Sequence, residues 1–492
     1  MRKARTALLL SLALTLAGAS AFAQVDFSRY VALGDSLTAG VSSNGSVVTF
    51  QQNSYPALIA RQAGISGFQQ PLVSEPGLPP LLYLAALNVT PFGISPTIAV
   101  KPGLGSPTNA TLATPYNNLG VDGFALSDVL TRQGNIQNFP AHLADYAAGR
   151  SGKAPAFADL VLRFPVFPGT TTPATALAQA IALQPSFLTV WIGSNDVLGA
   201  AQTAVVLEGV TMTTRADFRT RYTQILGALR QARPNTPILV ATIQDVLAFL
   251  TAVKPYLVNQ ATGAHIPLIG EAGPLTEQDF LTLYASSLIA QGIGIPVAAG
   301  GTGLPLPEGS FDPATGTLTA GVILRAGEMQ SLVQQVGAYN EIIKEVAASS
   351  SIGAKVFDVN AVYRDWNANG VTLGGVKLTT SYLTGGIFSY DGVHPQAIGY
   401  ALLAREWIKA INANYGAELP DIDLRPFLTG EGAAAATSVL AANTVVSEQA
   451  AIAMLKGYAP YAVTDKLQAH SRVVRRHLAE PKTHEPVETP AP

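Results

Sequence analysis

Apolar residues in this chain fall into short blocks separated by polar, glycine- and proline-rich stretches, and the spacing inside each block assigns its type. Tyr30-Val31-Ala32-Leu33 is a continuous apolar run stopped by Gly34, the pattern of a strand buried on both faces. Phe187-Leu188-Thr189-Val190-Trp191-Ile192 repeats it, as do residues 237–243 and 355–359. Residues 55–63, 215–232, 326–348 and 395–412 instead carry apolar side chains at helical spacing. Pro395 is expected in the first turn of the last helix, where its missing N–H costs nothing. Residues 71–115 and 255–325 are rich in Gly, Pro and Thr and read as long irregular insertions, the second with a short helix near 277–290. Strands alternating with helices predict an α/β fold, a parallel sheet with helices on both faces. No internal repeat interrupts the pattern.

The two ends depart from it. Arg2, Lys3 and Arg5 precede an apolar run from Ala7 to about Leu16, and Ala21-Phe22-Ala23 offers small residues for a signal peptidase. The run is shorter than the ~20 residues of a membrane-spanning helix. Residues 1–23 therefore read as a signal peptide cleaved near Ala23, giving a secreted or periplasmic protein with no transmembrane span. Beyond about Gly430 the composition changes: 433–453 is alanine-rich and expected helical, 470–478 holds three Arg and two His, and the last dozen residues are expected to be disordered. Residues 24–430 are left as the main domain, with 431–492 as a tail whose partner is unknown.

Composition narrows the chemistry. With 48% hydrophobic residues the chain is globular, and a net charge of -2 gives no footprint for nucleic acid. Absence of cysteine excludes a disulfide scaffold, a thiolate metal site and a cysteine nucleophile.

Four separated segments remain as candidates for catalysis. Gly34-Asp35-Ser36-Leu37 follows the first strand, and in a doubly wound sheet that end faces the ligand crevice. Taken alone the tripeptide Gly-Asp-Ser is turn chemistry and a good helix cap. Asp391-Gly392-Val393-His394-Pro395 supplies what a serine needs, an imidazole base and a carboxylate close enough to fix its tautomer. Gly193-Ser194-Asn195-Asp196 ends the strand at 187–192, where an asparagine amide can donate to an oxyanion. Within Asn118-Leu119-Gly120-Val121-Asp122-Gly123, a glycine N–H is a second such donor, from Gly123 or its competitor Gly120.

Together these pieces resemble the SGNH hydrolases, also called the GDSL esterase/lipase family, named for Ser, Gly, Asn and His in four blocks. The blocks occur here in order, over about residues 28–413, with Gly123 placed 87 positions after Ser36 and Asn195 a further 72 on. Compact members space them more closely, so the excursions are insertions. The resemblance implies a flavodoxin-like three-layer αβα sandwich with about five parallel strands, long loop insertions, and neither metal nor organic cofactor. It gives Ser36 the nucleophile role, His394 the base and Asp391 the acid. Ser36, Gly123 and Asn195 would form the oxyanion hole. The function implied is an exported serine hydrolase acting on carboxylic esters, small-molecule or lipid. Alternatives are an acetyl esterase acting on a polysaccharide, and a non-catalytic binding protein on the same fold. The apolar stretch around Leu78, Leu81, Leu82 and Leu84 is expected to serve as a lid or acyl-chain wall.

Overall fold

A computed structural model describes residues 25–90, 93–245, 253–259, 262–428 and 445–456. The expected signal peptide, most of the alanine-rich stretch and everything after 456 lie outside the described residues.

Five parallel strands form the central sheet: Tyr30–Gly34, Asn118–Gly120, Phe187–Trp191, Ile238–Ala241 and Lys355–Phe357. Numbered in chain order they lie side by side as 2-1-3-4-5, the flavodoxin-like order. The first strand is central because each of its residues is buried, which only strands on both sides and helices on both faces allow. Its register pairs Ala32 with Asn118 on one side and Gly34 with Trp191 on the other.

Strand side chains alternate between the faces. From the strand Phe187–Trp191, Phe187 packs edge-on against Tyr415 and Trp191 meets Tyr55 and Trp407, residues of the helix pair Tyr55–Gln62 and Ala397–Tyr415. Helices Arg215–Ala232 and Ala326–Ala348 form a second pair, joined where Phe218 stacks on Tyr339 at 4.0 Å. Both of these helices have the limits expected from their periodicity. Thr214 caps the first by accepting from Asp217 N–H, and Glu328 caps the second by accepting from Arg325 N–H.

Elsewhere the chain departs from expectation for identifiable reasons. The strand expected at 355–359 ends at Phe357, because Asp358 accepts from Ala361 N–H and starts the helix Val359–Asn369. Pro395 is not in the first turn of the last helix. Ser389 N–H donates to His394 O and Gln396 N–H to Ile387 O, which closes 387–396 into a loop, and helix Ala397–Tyr415 begins only after it. Residues 71–115 are not wholly irregular: Leu82–Thr90 and Gly93–Val100 pair as an antiparallel hairpin, and Val445–Val446 adds to it in parallel. The period-two signal is hidden because Leu81, Leu82, Leu84, Ala85, Ala86 and Leu87 are apolar on both faces. Within 255–325 the helix is shorter than expected, Ala285–Ile289, and sits among two- and three-residue strands.

These insertions do not merely decorate the sheet. Leu82 and Ile98 of the hairpin, Leu268, Leu288 and Ile323 of the second insertion, and Val446 of the expected tail form a hydrophobic cluster separate from the sheet core. The helix Glu448–Lys456 adds buried Ala450 and Ala451. Residues 445–456 of the expected tail thus complete a cap built by the two insertions.

Candidate active site

The first strand delivers its chain end without room for a side chain. A Cβ on Gly34 would stand 2.1 Å from Thr38 Oγ1 and 2.4 Å from Trp191 O, so only glycine lets the next turn fold this tightly. Asp35 then caps the four-residue helix Ser36–Ala39, its Oδ1 accepting from Leu37 N–H at 3.0 Å. Gly40, at φ 79°, ends the helix in the left-handed conformation. Ser36 stands at the first helical position, with its N–H free of any intrahelical acceptor.

From the far end of the chain the loop 389–394 comes to meet it. His394 Nε2 lies 2.8 Å from Ser36 Oγ, and His394 Nδ1 lies 2.8 Å from Asp391 Oδ2. All three side chains are buried. With Nδ1–H donating to the carboxylate, Nε2 is left as an acceptor for the serine hydroxyl. Asp391 is held from several sides. Its Oδ1 accepts from Val393 N–H and His394 N–H, each at 2.9 Å, and from Ser389 Oγ at 3.1 Å. Its Oδ2 also accepts from Asn44 N–H at 2.6 Å. Burial by itself would raise this carboxyl, but the charge of His394 and these hydrogen bonds outweigh it and hold it well below the usual carboxylate range. At Asp35 the balance runs the other way: burial pushes it up to about 7, outweighing the Leu37 N–H and the charge of His394.

The two remaining segments follow the strands that flank the first one and meet where Asn195 reaches Phe124. Asn195 begins the helix Asn195–Thr203 directly after the strand Phe187–Trp191 and donates an Nδ2 hydrogen to Phe124 O at 2.9 Å, leaving its second amide hydrogen. Its neighbour Asp196 accepts from Leu126 N–H at 3.0 Å and from Thr213 Oγ1 at 2.6 Å. Burial pushes Asp196 up to about 6. Both residues therefore fasten the loop that holds Gly123. Of the competing glycines, Gly120 has its N–H engaged with Asn118 Oδ1 at 3.0 Å, and a Cβ there would meet Ala39 N at 2.3 Å. Gly123, at φ 85°, has no partner for its N–H among the described residues.

Leu283 of the second insertion and Tyr382 stand beside this arrangement, since a Cβ on Gly392 would meet Leu283 Cδ1 at 2.9 Å and Tyr382 Cδ2 at 3.5 Å. Among the described residues no group of three His, Asp or Glu side chains is placed to hold a metal ion. His142 and His265 are instead engaged with single carboxylates, Asp159 and Glu277. The polar supports of the site, Asn44, Lys153 and Ser389, were not singled out by the motifs. Asn44 alone carried a local signal, the turn sequence Ser43-Asn44-Gly45.

No curated protein matches the chain. Among solved structures it is similar to an α/β hydrolase enzyme from the metagenome of Lake Arreo, Spain, at 10% identity over 77% of this chain and 93% of that one, with a TM-score of 0.31. It is similar to phospholipase A1 from Streptomyces albidoflavus at 13% identity, covering 78% and 98% of the two chains, with a TM-score of 0.30. An extracellular lipase from Streptomyces rimosus matches at 16% identity over 78% and 98%, with a TM-score of 0.29. Residues 30–407 match the family described as GDSL-like lipase/acylhydrolase, a span that takes in all four blocks and the whole central sheet. The chain belongs to that family of ester hydrolases.

Proposed function

We propose that this hydrolase is an exported serine esterase or lipase that works through Ser36, His394 and Asp391. The observation that carries the reading is the unbroken run of hydrogen bonds from Ser36 Oγ through His394 to Asp391, 2.8 Å at each step. His394 takes the serine proton as Oγ attacks the ester carbonyl, and the fixed carboxylate stabilises the imidazolium that results. The oxyanion is held by the free N–H groups of Ser36 and Gly123 and by the second Asn195 amide hydrogen. His394 then returns the proton to the leaving alcohol, and water releases the acyl group by the same route. Export is supported by the basic, apolar and small-residue pattern of residues 1–23. Leu283 beside Gly392, backed by the apolar second cluster, supports a wall for acyl chains longer than acetate.

A serine-directed organophosphate tests the assignment, with mass spectrometry expected to place the single label on Ser36. Ser36→Ala and His394→Ala should each lower turnover by roughly 10⁴-fold or more, and Asn195→Ala by about 10²–10³. Labelling at another residue, or a folded Ser36→Ala variant with full turnover, would overturn the reading. On a panel of chromogenic esters, fastest turnover on acetate or on an acetylated glycan would refute the chain-length preference alone.

A further inference from the structure

The donor that completes the Asp391 environment comes from an unusual piece of backbone. Ser42 N–H donates to Gly45 O at 3.0 Å and Gly45 N–H to Ser42 O at 3.1 Å, closing a two-residue turn. Its central residues, Ser43 at φ 50° and Asn44 at φ 70°, are both left-handed, which defines a type I′ turn built here without glycine at either position. The turn aims its two central N–H groups at the histidine loop. Ser43 N–H donates to Ser389 Oγ at 2.8 Å, and Asn44 N–H to the Asp391 oxygen that also receives His394 Nδ1–H.

A left-handed pair of side-chain-bearing residues persists only where its surroundings hold it. Here the holding group is a buried cation. Lys153 opens the helix Lys153–Val161 with its side chain only 6% exposed, and Nζ donates to both Asn44 O and Asn44 Oδ1 at 3.0 Å. Its remaining side faces Asp122 Oδ2 at 3.1 Å, a carboxylate only 4% exposed. Asp122 immediately precedes Gly123, and a Cβ on Gly123 would lie 3.5 Å from Lys153 Cβ. One ammonium therefore joins the backbone carrying the proposed oxyanion donor to the turn that holds the proposed triad acid.

We propose that Lys153 is a positioning residue for the esterase reaction, clamping the 42–45 turn so that Asn44 N–H fixes Asp391 against His394. The proposal rests on the Ser36–His394–Asp391 reading. It differs from a plain structural role, in which Lys153 only neutralises buried Asp122. Lys153→Met removes both functions at once and leaves a buried carboxylate unpaired, so the deciding variant is Lys153→Met combined with Asp122→Asn, which buries no lone charge. Circular dichroism and thermal melting establish its fold.

The expected result is a folded double variant whose kcat on a chromogenic ester falls about 10–100-fold while KM stays within about twofold, as a small misplacement of the reacting groups produces. Organophosphate labelling of Ser36 should slow in proportion. The far-downfield proton resonance of His394 Nδ1–H bonded to Asp391 should move or broaden. A double variant with wild-type kcat overturns the proposal, leaving Lys153 as the counter-ion of Asp122. So does a fallen kcat with an unchanged resonance, which places the effect on the Gly123 side. Failure of the underlying triad is read separately, as absence of label at Ser36 in the wild-type protein.

Discussion

Asp35 lies next to the proposed nucleophile and is buried, and its acidity ties the stability of the fold to pH in an unusual direction. Burial moves its carboxyl from 3.8 to about 7, only partly opposed by the Leu37 N–H and the charge of His394. The native protein thus keeps this proton up to about pH 7, whereas the unfolded chain gives it up near pH 4. Between those limits the native state binds more protons, so stability falls as pH rises through the window and levels off above it. The displacement spans about three pH units at ~1.4 kcal/mol each. Asp35 therefore destabilises the fold by about 2 kcal/mol at pH 5 and about 4 kcal/mol at pH 8, compared with a neutral side chain. Asp35→Asn supplies that neutral side chain and retains an oxygen to accept from Leu37 N–H. Urea unfolding followed by tryptophan fluorescence at pH 5, 6, 7 and 8 measures both proteins, and the titrating groups that do not interact with Asp35 cancel in the difference. The stability gap should widen by roughly 2–3 kcal/mol from pH 5 to pH 8 in favour of Asp35→Asn. A gap that stays constant across that range, whatever its size, would refute the argument.

Two glycines give a contrast in the same unfolding assay. Gly120→Ala drives a Cβ into the backbone of Ala39 and should cost roughly 1–3 kcal/mol or more, whereas Gly227→Ala, in the helix Arg215–Ala232 with nothing within 4 Å, should stabilise by about 0.5–1 kcal/mol. A chain ending at Gly430 lacks Val446, Ala450 and Ala451, all fully buried in the cap. It should melt at lower temperature and expose the hairpin to limited proteolysis, yet keep most of its turnover on short esters, because no residue after 430 is hydrogen-bonded to Ser36, His394 or Asp391 among the described residues.

The residues of the proposed site could be named in advance where the chemistry restricts the residue type and the motif is contiguous. Asp391 and His394 lie on one loop, and Ser36 and Asn195 each follow an apolar run, so their positions at strand ends could be inferred before any contact was known. Choosing between Gly120 and Gly123 could not be done that way, because it depends on whose N–H is already taken by Asn118 Oδ1. Lys153 was illegible for a stronger reason. Its partners Asn44 and Asp122 come from different segments, and a lone lysine at a helix start looks like solvent-exposed charge. The fold followed the same division. Helices with strong periodicity and good caps, such as Arg215–Ala232, kept their limits, while the hairpin Leu82–Thr90 and Gly93–Val100 was obscured by apolar residues on both of its faces.

Keeping the insertions on a hydrophobic cluster of their own has an evolutionary consequence. A substitution at Leu268, Leu288 or Ile323 alters packing inside the cap, and through neighbours such as Leu283 the wall beside Gly392, without removing a contact from the sheet that carries Ser36 and Asn195. The two clusters divide the mutational load. On the proposed reading, drift in the cap changes which molecules are admitted, and drift in the sheet changes whether the protein folds. A lineage built this way can repack one cluster while the strands that lead to Ser36 and Asn195 stay on the other.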